Sequence, residues 1–216
     1  MNKVITLCAL LCVLALPCMA SAEAGMYITP KFLDSLQNSG SLGGSDGLSS
    51  QTHNSVGGAL AVGMNLRNMS ESGIPLRVEV EYATRGNTRS EWNASYGHRQ
   101  DVKATWQVQT FQLNGYYDID TGSAFTPYIG AGLGASAIYE SMTSGPSSYR
   151  HHTEDTTMGF AWNVGAGFAY AFTDNVALDI GYRFAGFGNG SVKHNGNDVE
   201  NYMTANEFMA GVRFSF

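Results

Sequence analysis

Past residue 18 the chain has no cysteine. Its three, Cys8, Cys12 and Cys18, all sit in an apolar amino-terminal stretch. A domain built from the remainder has no disulfide to brace it, and no thiolate for nucleophilic chemistry or a soft metal site. Charge is scarce too. Asp, Glu, Lys and Arg make up 14% of residues, against about 25% in an ordinary soluble domain. No basic run occurs, and 12 Lys and Arg stand against 18 Asp and Glu for a net charge of −6. Such a balance makes nucleic acid or heparin a poor partner. No stretch after residue 22 reaches the roughly 20 apolar residues that a transmembrane helix needs. What the chain does hold in quantity is glycine, 26 residues, and aromatics, 12%. Few charges, many aromatics and many glycines suit strands with one apolar face and one small or polar face.

The amino terminus reads as a secretory leader over residues 1–22. Lys3 gives a charged head, Val4 to Leu16 is apolar apart from Thr6, and Ala20-Ser21-Ala22 is a small-x-small cleavage site. The run is too short for a spanning helix and ends at Pro17. Pro17 also precedes Cys18, where lipoprotein processing needs a small residue. Cleavage after Ala22 removes every cysteine and leaves residues 23–216 as one domain. Losing Lys3 takes the charge from −6 to −7.

Along that domain apolar residues recur at every second position, the period of a strand. In 159–172 the even positions are Phe160, Trp162, Val164, Ala166, Phe168, Tyr170 and Phe172, and the odd ones are small or Asn163. Residues 176–187 set Val176, Leu178, Ile180, Tyr182 and Phe184 against Asp179, Gly181 and Arg183. Residues 204–216 set Phe208, Ala210, Val212, Phe214 and Phe216 against Glu207, Gly211 and Arg213. Residues 75–85 set Leu76, Val78, Val80 and Tyr82 against Arg77, Glu79 and Glu81. Stretches 25–32, 56–67 and 125–139 alternate less cleanly. In 105–119 the phase changes between Val108 and Phe111, which predicts a bulge. The strand count is eight.

Connections alternate in length. Short ones fall near 68–74, 118–124 and 173–175, rich in turn formers such as Asn68, Gly73, Asp120, Gly122 and Asp174. Long ones are expected at 33–54, 86–104, 141–157 and 188–203. A soluble sandwich or lipocalin-like barrel also alternates, but with its apolar face inward and Lys and Glu outside. Strand 159–172 has no charge on either face. Its twelve steps from Phe160 to Phe172 give about 40 Å of strand, or roughly 30 Å along the axis at a ~40° tilt, near the height of a membrane's apolar band with its aromatic girdles. The fold expected is all-β: an eight-stranded antiparallel, up-and-down transmembrane barrel of a bacterial outer membrane. Both termini and the short turns then face the periplasm, and four long loops face outward.

The segments TPYIGAGLGASAIY (126–139), WNVGAGFAYAFTDNVALDIGYRF (162–184) and GVRFSF (211–216) resemble the opacity-type family of small outer-membrane β-barrels. The likeness covers essentially all of the mature part. It implies a surface antigen, an adhesin or a porin-like protein, and contact with lipopolysaccharide and phospholipid. Phe216, with Phe214 two before it, matches the signal that the barrel-assembly machinery reads in this class. The resemblance brings no catalytic residues.

The residues themselves add little chemistry. His53, His98, His151, His152 and His194 all fall in the expected loops, and His151-His152 with Glu154-Asp155 resembles a transition-metal site. Adjacent histidines on a loop lack the second layer of partners that rigid metal sites have, so solvated loop residues is the plainer reading. Lipid A deacylases and palmitoyltransferases are barrels of similar size, but a hydrolase needs its nucleophile and base fixed on strand ends. No Ser and His share a strand face. No catalytic, cofactor-binding or metal-ligating residue is therefore assigned. The function expected is a monomeric surface-interaction protein whose outer loops meet a host or environmental ligand; a narrow porin and, behind it, a lipid A-modifying enzyme are the alternatives. The inward charges Arg77, Glu79, Glu81, Asp179, Arg183, Glu207 and Arg213 are nearly balanced in sign and should pair to plug the lumen. A final hairpin centred near residue 196 would set Asp179 across from Arg213 and bring Arg183 near Glu207.

Overall fold

The structure, a computed structural model, describes residues 25–41, 51–68, 73–96, 98–144, 151–194 and 197–216. The expected leader lies outside them. Eight strands follow in chain order: β1 (Met26–Ser41), β2 (Gln51–Asn65), β3 (Leu76–Tyr96), β4 (His98–Asp118), β5 (Phe125–Ser144), β6 (His151–Ala171), β7 (Val176–His194) and β8 (Asn197–Ser215). Each pairs antiparallel with the next, and β8 returns to β1 to close a barrel. Closure at membrane depth satisfies every strand edge, which is what a sheet in hydrocarbon requires.

Register fixes the shape. Following paired residues around the wall from Ile28 through Val62, Val80, Leu113, Leu133, Trp162, Gly186 and Thr204 returns to β1 at Asn38, a stagger of ten residues. Ten residues at ~3.3 Å over eight strands at ~4.8 Å give a strand tilt of about 40°. Eight strands at that tilt enclose a space that side chains fill.

The period-2 pattern faces as expected, apolar outward. Ile129, Leu133, Phe160, Val164, Phe208 and Phe214 stand exposed on the outer wall, while Ala61, Ala161, Asn163, Gln112 and Glu207 are buried inside. Two aromatic belts bound the outer apolar face: Tyr117, Phe125, Tyr170, Phe172 and Phe214 below, Phe32, Phe111, Phe160, Trp162 and Phe208 above. From Phe172, just past the end of β6, to Trp162 is ten residue steps, which at a tilt of ~40° span roughly 25 Å along the axis, the usual height of the apolar band.

The lower end carries the short connections and both ends of the barrel chain. Gly25 N–H donates to the Phe216 carbonyl at 3.2 Å, Asn65 N–H to the Gly25 carbonyl at 2.8 Å, and Ser215 N–H to the Asn175 carbonyl at 2.8 Å. Gly73 and Gly122 sit in these turns at φ of 59° and 68°, a left-handed conformation that a side chain would strain.

Three expectations need correction. Most of the four long loops is strand: β3 and β4 stay paired as far as Tyr96 and His98, β5 and β6 as far as Ser144 and His151, β7 and β8 as far as His194 and Asn197. These segments lack a clean apolar alternation because they stand above the membrane, where neither face needs to be apolar. The bulge expected in 105–119 is not in that strand, since β4 pairs with β5 without a break. Val108 points inward into an apolar cluster and Phe111 outward to lipid, which accounts for the phase change; the irregularity lies next door, between Arg85 and Thr88 of β3. Finally, Asp179 stands across from Gly211, and Ala177 across from Arg213, whereas Arg183 does face Glu207.

Candidate functional site: the sealed lumen and the outer hairpins

Alternation drives every second side chain of β1, β3, β7 and β8 into the lumen, and there the charges join into one chain. Arg77 Nε donates to Asp118 (2.7 Å) and Arg77 Nη1 to Glu79 (3.3 Å). Lys31 Nζ bridges Glu79 and Glu81, 2.8 Å to each. Glu81 accepts from Arg183 (2.5 Å), Arg183 Nε donates on to Glu207 (2.6 Å), and Glu207 also holds Arg85 Nε (2.5 Å). Asp118, Glu79, Glu81 and Glu207 thus balance Arg77, Lys31, Arg183 and Arg85 one for one. A separate pair joins Arg213 to Asp179 by a short hydrogen bond, through the diagonal rather than directly across.

Neutral partners add to the set. Tyr27 Oη donates to Glu79 (2.9 Å), Tyr128 Oη to Asp179 (2.5 Å) and Ser35 Oγ to Glu207 (3.0 Å). The Arg77 guanidinium lies over the rings of Tyr116 and Tyr128, 4.8 and 4.9 Å from their centroids. Burying ions is expensive unless each is paired and hydrogen-bonded; every ion of the ladder has a charged partner, while Arg183 Nη2 finds no acceptor. Above it, Val108, Ile138, Ala185, Phe187 and Ala205 form an apolar layer, with Met203 packed against it. Arg85 stacks on Phe187 at 4.4 Å and ties the two layers together.

The expected plug charges Arg77, Glu79, Glu81, Asp179, Arg183, Glu207 and Arg213 all lie inward and all take part. Lys31, Arg85 and Asp118 are additional members. Parity was the signal for the first two: Lys31 continues the inward series of Tyr27 and Thr29, and Arg85 that of Arg77, Glu79 and Glu81. Asp118 lies at the end of β4, beyond the stretch where alternation is readable.

At the lower mouth Asn65, Arg67, Pro75, Asp118, Asp120, Thr126 and Arg213 line a cavity of about 150 Å³. Asp120, in the exposed β4–β5 turn, accepts from Gly122 N–H (2.9 Å) and from Arg67 (2.7 Å). The backbone N–H, and then the guanidinium, hold its carboxyl below the usual range.

The five histidines lie on strands, not loops: His53 on β2, His98 on β4, His151 and His152 on β6, His194 on β7. Apart from His53, their side chains fall outside the described set, as do those of Glu154 and Asp155.

From Trp162 up to His151, β6 continues for eleven residues, roughly 27 Å above the upper aromatic belt at the same tilt. The barrel therefore stands about as far out of the membrane as it reaches through it.

Comparison with known proteins gives the same architecture. The chain is 28% identical to the outer membrane protein PagN of Salmonella typhimurium over 241 aligned positions, covering all of both chains. Among solved structures it resembles a major outer membrane protein of Thermus thermophilus, with a TM-score of 0.57 at 14% identity over 87% of this chain and 99% of that one. It also resembles Ail, the attachment invasion locus protein of Yersinia pestis, with a TM-score of 0.52 at 15% identity over 90% of this chain and 100% of that one. The model of the outer membrane protein beta-barrel domain matches residues 6–216: the chain belongs to that family, an eight-stranded barrel of the outer membrane.

Proposed function

We propose that this barrel is a surface-interaction protein of the adhesin or antigen type, whose membrane part anchors and whose outer hairpins bind. One observation carries this reading. The lumen is filled through its height by a paired ion ladder and an apolar cap, while the strands continue well beyond the upper belt. A wall so tall above a blocked lumen serves contact rather than passage. PagN, an outer membrane protein matched over its full length, is consistent with the membrane anchor. Ail, an attachment invasion locus protein solved in complex with the heparin analogue sucrose octasulfate, is consistent with the surface reading. An acidic chain without a basic run favours a protein over a sulfated glycan as the ligand.

The test replaces each outer hairpin by an Asn-Gly turn, joining β1 to β2, β3 to β4, β5 to β6 or β7 to β8 just above the belt. Heat-modifiable migration on an unboiled gel reports the intact barrel. Adhesion of bacteria displaying each variant to cultured cells should fall at least tenfold for one or more replacements. Undiminished adhesion with all four shortened would refute the proposal.

A further inference from the structure

Among the described residues the β2–β3 ladder ends at Gly57 and Arg85, and the β6–β7 ladder at Trp162 and Gly186. These ends lie four strands apart at the upper aromatic belt. Each sits beside a register slip, between Arg85 and Thr88 in β3 and between Gly186 and Asn189 in β7. The wall continues upward as two sheets, β3-β4-β5-β6 and β7-β8-β1-β2. The outer face of the second sheet carries a charge that a lipid-facing surface does not need. Asp34 of β1 belongs to the outward series of Phe32 and Leu36, since Leu33 and Ser35 are buried inside. Among the described strand residues up to the upper belt, every other Asp, Glu, Lys and Arg points into the lumen. An ionisable side chain on the lipid side is costly and marks a functional site. Asp34 Oδ1 is covered yet has no hydrogen-bond partner.

Register gathers complementary groups around this carboxylate. Phe208 of β8 and Val56 of β2 stand directly across from Asp34. On the next outward level Leu36 stands between Asn206 and Asn54, and on the one above Asn38 stands between Thr204 and Thr52. Tyr182 of β7 fixes two of these side chains. Its ring packs on Phe208 with centroids 5.2 Å apart, and its Oη donates to Asn206 Oδ1 at 2.6 Å. That bond occupies the Asn206 acceptor, so the carboxamide offers its Nδ2 hydrogens. Thr52 Oγ1 holds Asn38 in the same way, donating to its Oδ1 at 2.6 Å. Phe208 stays 54% exposed. A carboxylate acceptor, oriented amide donors and an aromatic ring thus lie side by side, Asp34 and Asn206 being diagonal neighbours about 7–8 Å apart. From Asp34 to Asn38 the chain rises about 10 Å at the barrel's tilt, from the belt through the headgroup layer.

We infer that this face binds the sugar headgroup of an outer-leaflet glycolipid, lipopolysaccharide. Asp34 accepts hydrogen bonds from ring hydroxyls, Asn206 donates to a hydroxyl oxygen, and the C–H face of the sugar lies on Phe208. A sugar is the headgroup chemistry that uses all three groups. Hydroxyl-to-carboxylate hydrogen bonds are charge-assisted and short, and the negative face of an aromatic ring favours C–H groups. A phosphate would be repelled by Asp34, and an ammonium would satisfy Asp34 while leaving Asn206 and Phe208 unused. Height selects the source, because the site faces sideways at the membrane surface, where a lipid's own sugar lies. The inference is independent of what the outer hairpins bind.

The test places refolded protein in phosphatidylcholine nanodiscs and follows the Asn206 side-chain amide by NMR as lipopolysaccharide replaces phospholipid. The signal should shift and saturate. Asp34→Leu suits a lipid-facing position and should migrate as a folded barrel on an unboiled gel. It should raise the lipopolysaccharide fraction needed for half the shift at least tenfold. Phe208→Leu, which keeps the surface apolar and removes the ring, should raise it at least threefold. No shift in the parent, or an unchanged midpoint in both variants, would overturn the site. An equal shift with phosphatidylethanolamine would make the ligand an ammonium, and one with phosphatidic acid would make it an anion; either overturns the sugar. Loss of the shift on chelating divalent cations would point to a cation bridge and overturn it too. Equal affinity for the deacylated, soluble saccharide of lipopolysaccharide would overturn the lipid source.

Discussion

Glu207 is the residue on which the lumen can be tested hardest. It is wholly buried and accepts from Arg85 Nε (2.5 Å), Arg85 Nη2 (3.1 Å), Arg183 Nε (2.6 Å) and Ser35 Oγ (3.0 Å). Glu207→Ala leaves Arg85 with a threonine hydroxyl, a ring face and no counter-charge, and Arg183 with Glu81 alone. Removing one member of a buried pair typically costs about 3–5 kcal/mol, most of it from the stranded charge. The cost should nearly vanish when the stranded charge goes as well. Arg85→Met with Glu207→Leu leaves Arg183, Lys31 and Arg77 against Glu81, Glu79 and Asp118, still neutral, and replaces two ions by apolar groups beneath an apolar layer. The double variant should therefore lie within about 1 kcal/mol of the parent, against about 3–5 kcal/mol for Glu207→Leu alone, so the cycle of Arg85→Met and Glu207→Leu should show a coupling of at least about 2 kcal/mol. Urea unfolding from phospholipid vesicles, followed by tryptophan emission, measures it. A single-variant loss below about 1 kcal/mol, or a double variant that merely adds the two single losses, would refute the ladder as the support of the lumen.

Ala166→Arg, midway between the aromatic belts on the lipid face, should cost about 2–4 kcal/mol in the same assay, whereas arginine at Met158, above the upper belt, should cost no more than about 1 kcal/mol; equal costs would misplace the membrane. Planar-bilayer recording should find no large, steady conductance in the parent barrel; if it does, the filled lumen is not a barrier and a porin becomes the better reading. Arg213→Ala, which removes the partner of Asp179 near the mouth, should leave the upper layers sealed and conductance still low. Amino-terminal sequencing of the outer-membrane form should read Glu23-Ala24-Gly25, and a start before residue 18 or a lipid on Cys18 would contradict cleavage after Ala22. Asp120 should titrate below the ordinary aspartate range by NMR and move upward in Arg67→Ala; its small stabilising effect is present above the unfolded-state value and fades as pH falls through the folded one.

Inside the membrane the fold was legible residue by residue, because hydrocarbon outside and a narrow lumen inside impose opposite demands on neighbouring positions. The faces of 159–172, 176–184 and 206–216 came directly from parity, while the nearness of Arg183 to Glu207 came from placing the final hairpin near residue 196. Parity failed at Val108 and Phe111. There an apolar residue serves the inner cap and the next serves lipid, so hydrophobicity alone cannot tell the two faces apart. The outer strands were not legible for a related reason. Residues 141–157 are almost wholly polar, and 86–104 alternate only briefly at Trp92, Ala94 and Tyr96, which reads as loop unless the pairing partner is known. The diagonal between Asp179 and Arg213 needed register, and register depends on the bulge at Gly186–Asn189, which no single strand reveals.

The same change of solvent explains where the barrel stops being a barrel. In hydrocarbon an unpaired backbone N–H or C=O costs several kcal/mol, so a gap between β6 and β7 at the level of Ala166 would be prohibitive. At Trp162 the wall passes the upper aromatic belt, water becomes available to backbone groups, and that penalty falls away. Both interrupted ladders end there and not lower, beside bulges that turn β3 and β7 aside. The coincidence of two opposite bulges, two ladder ends and one aromatic belt ties them to a single cause. Where lipid ends, the chain no longer needs a closed wall, and the charge-paired lumen below holds the two sheets in place.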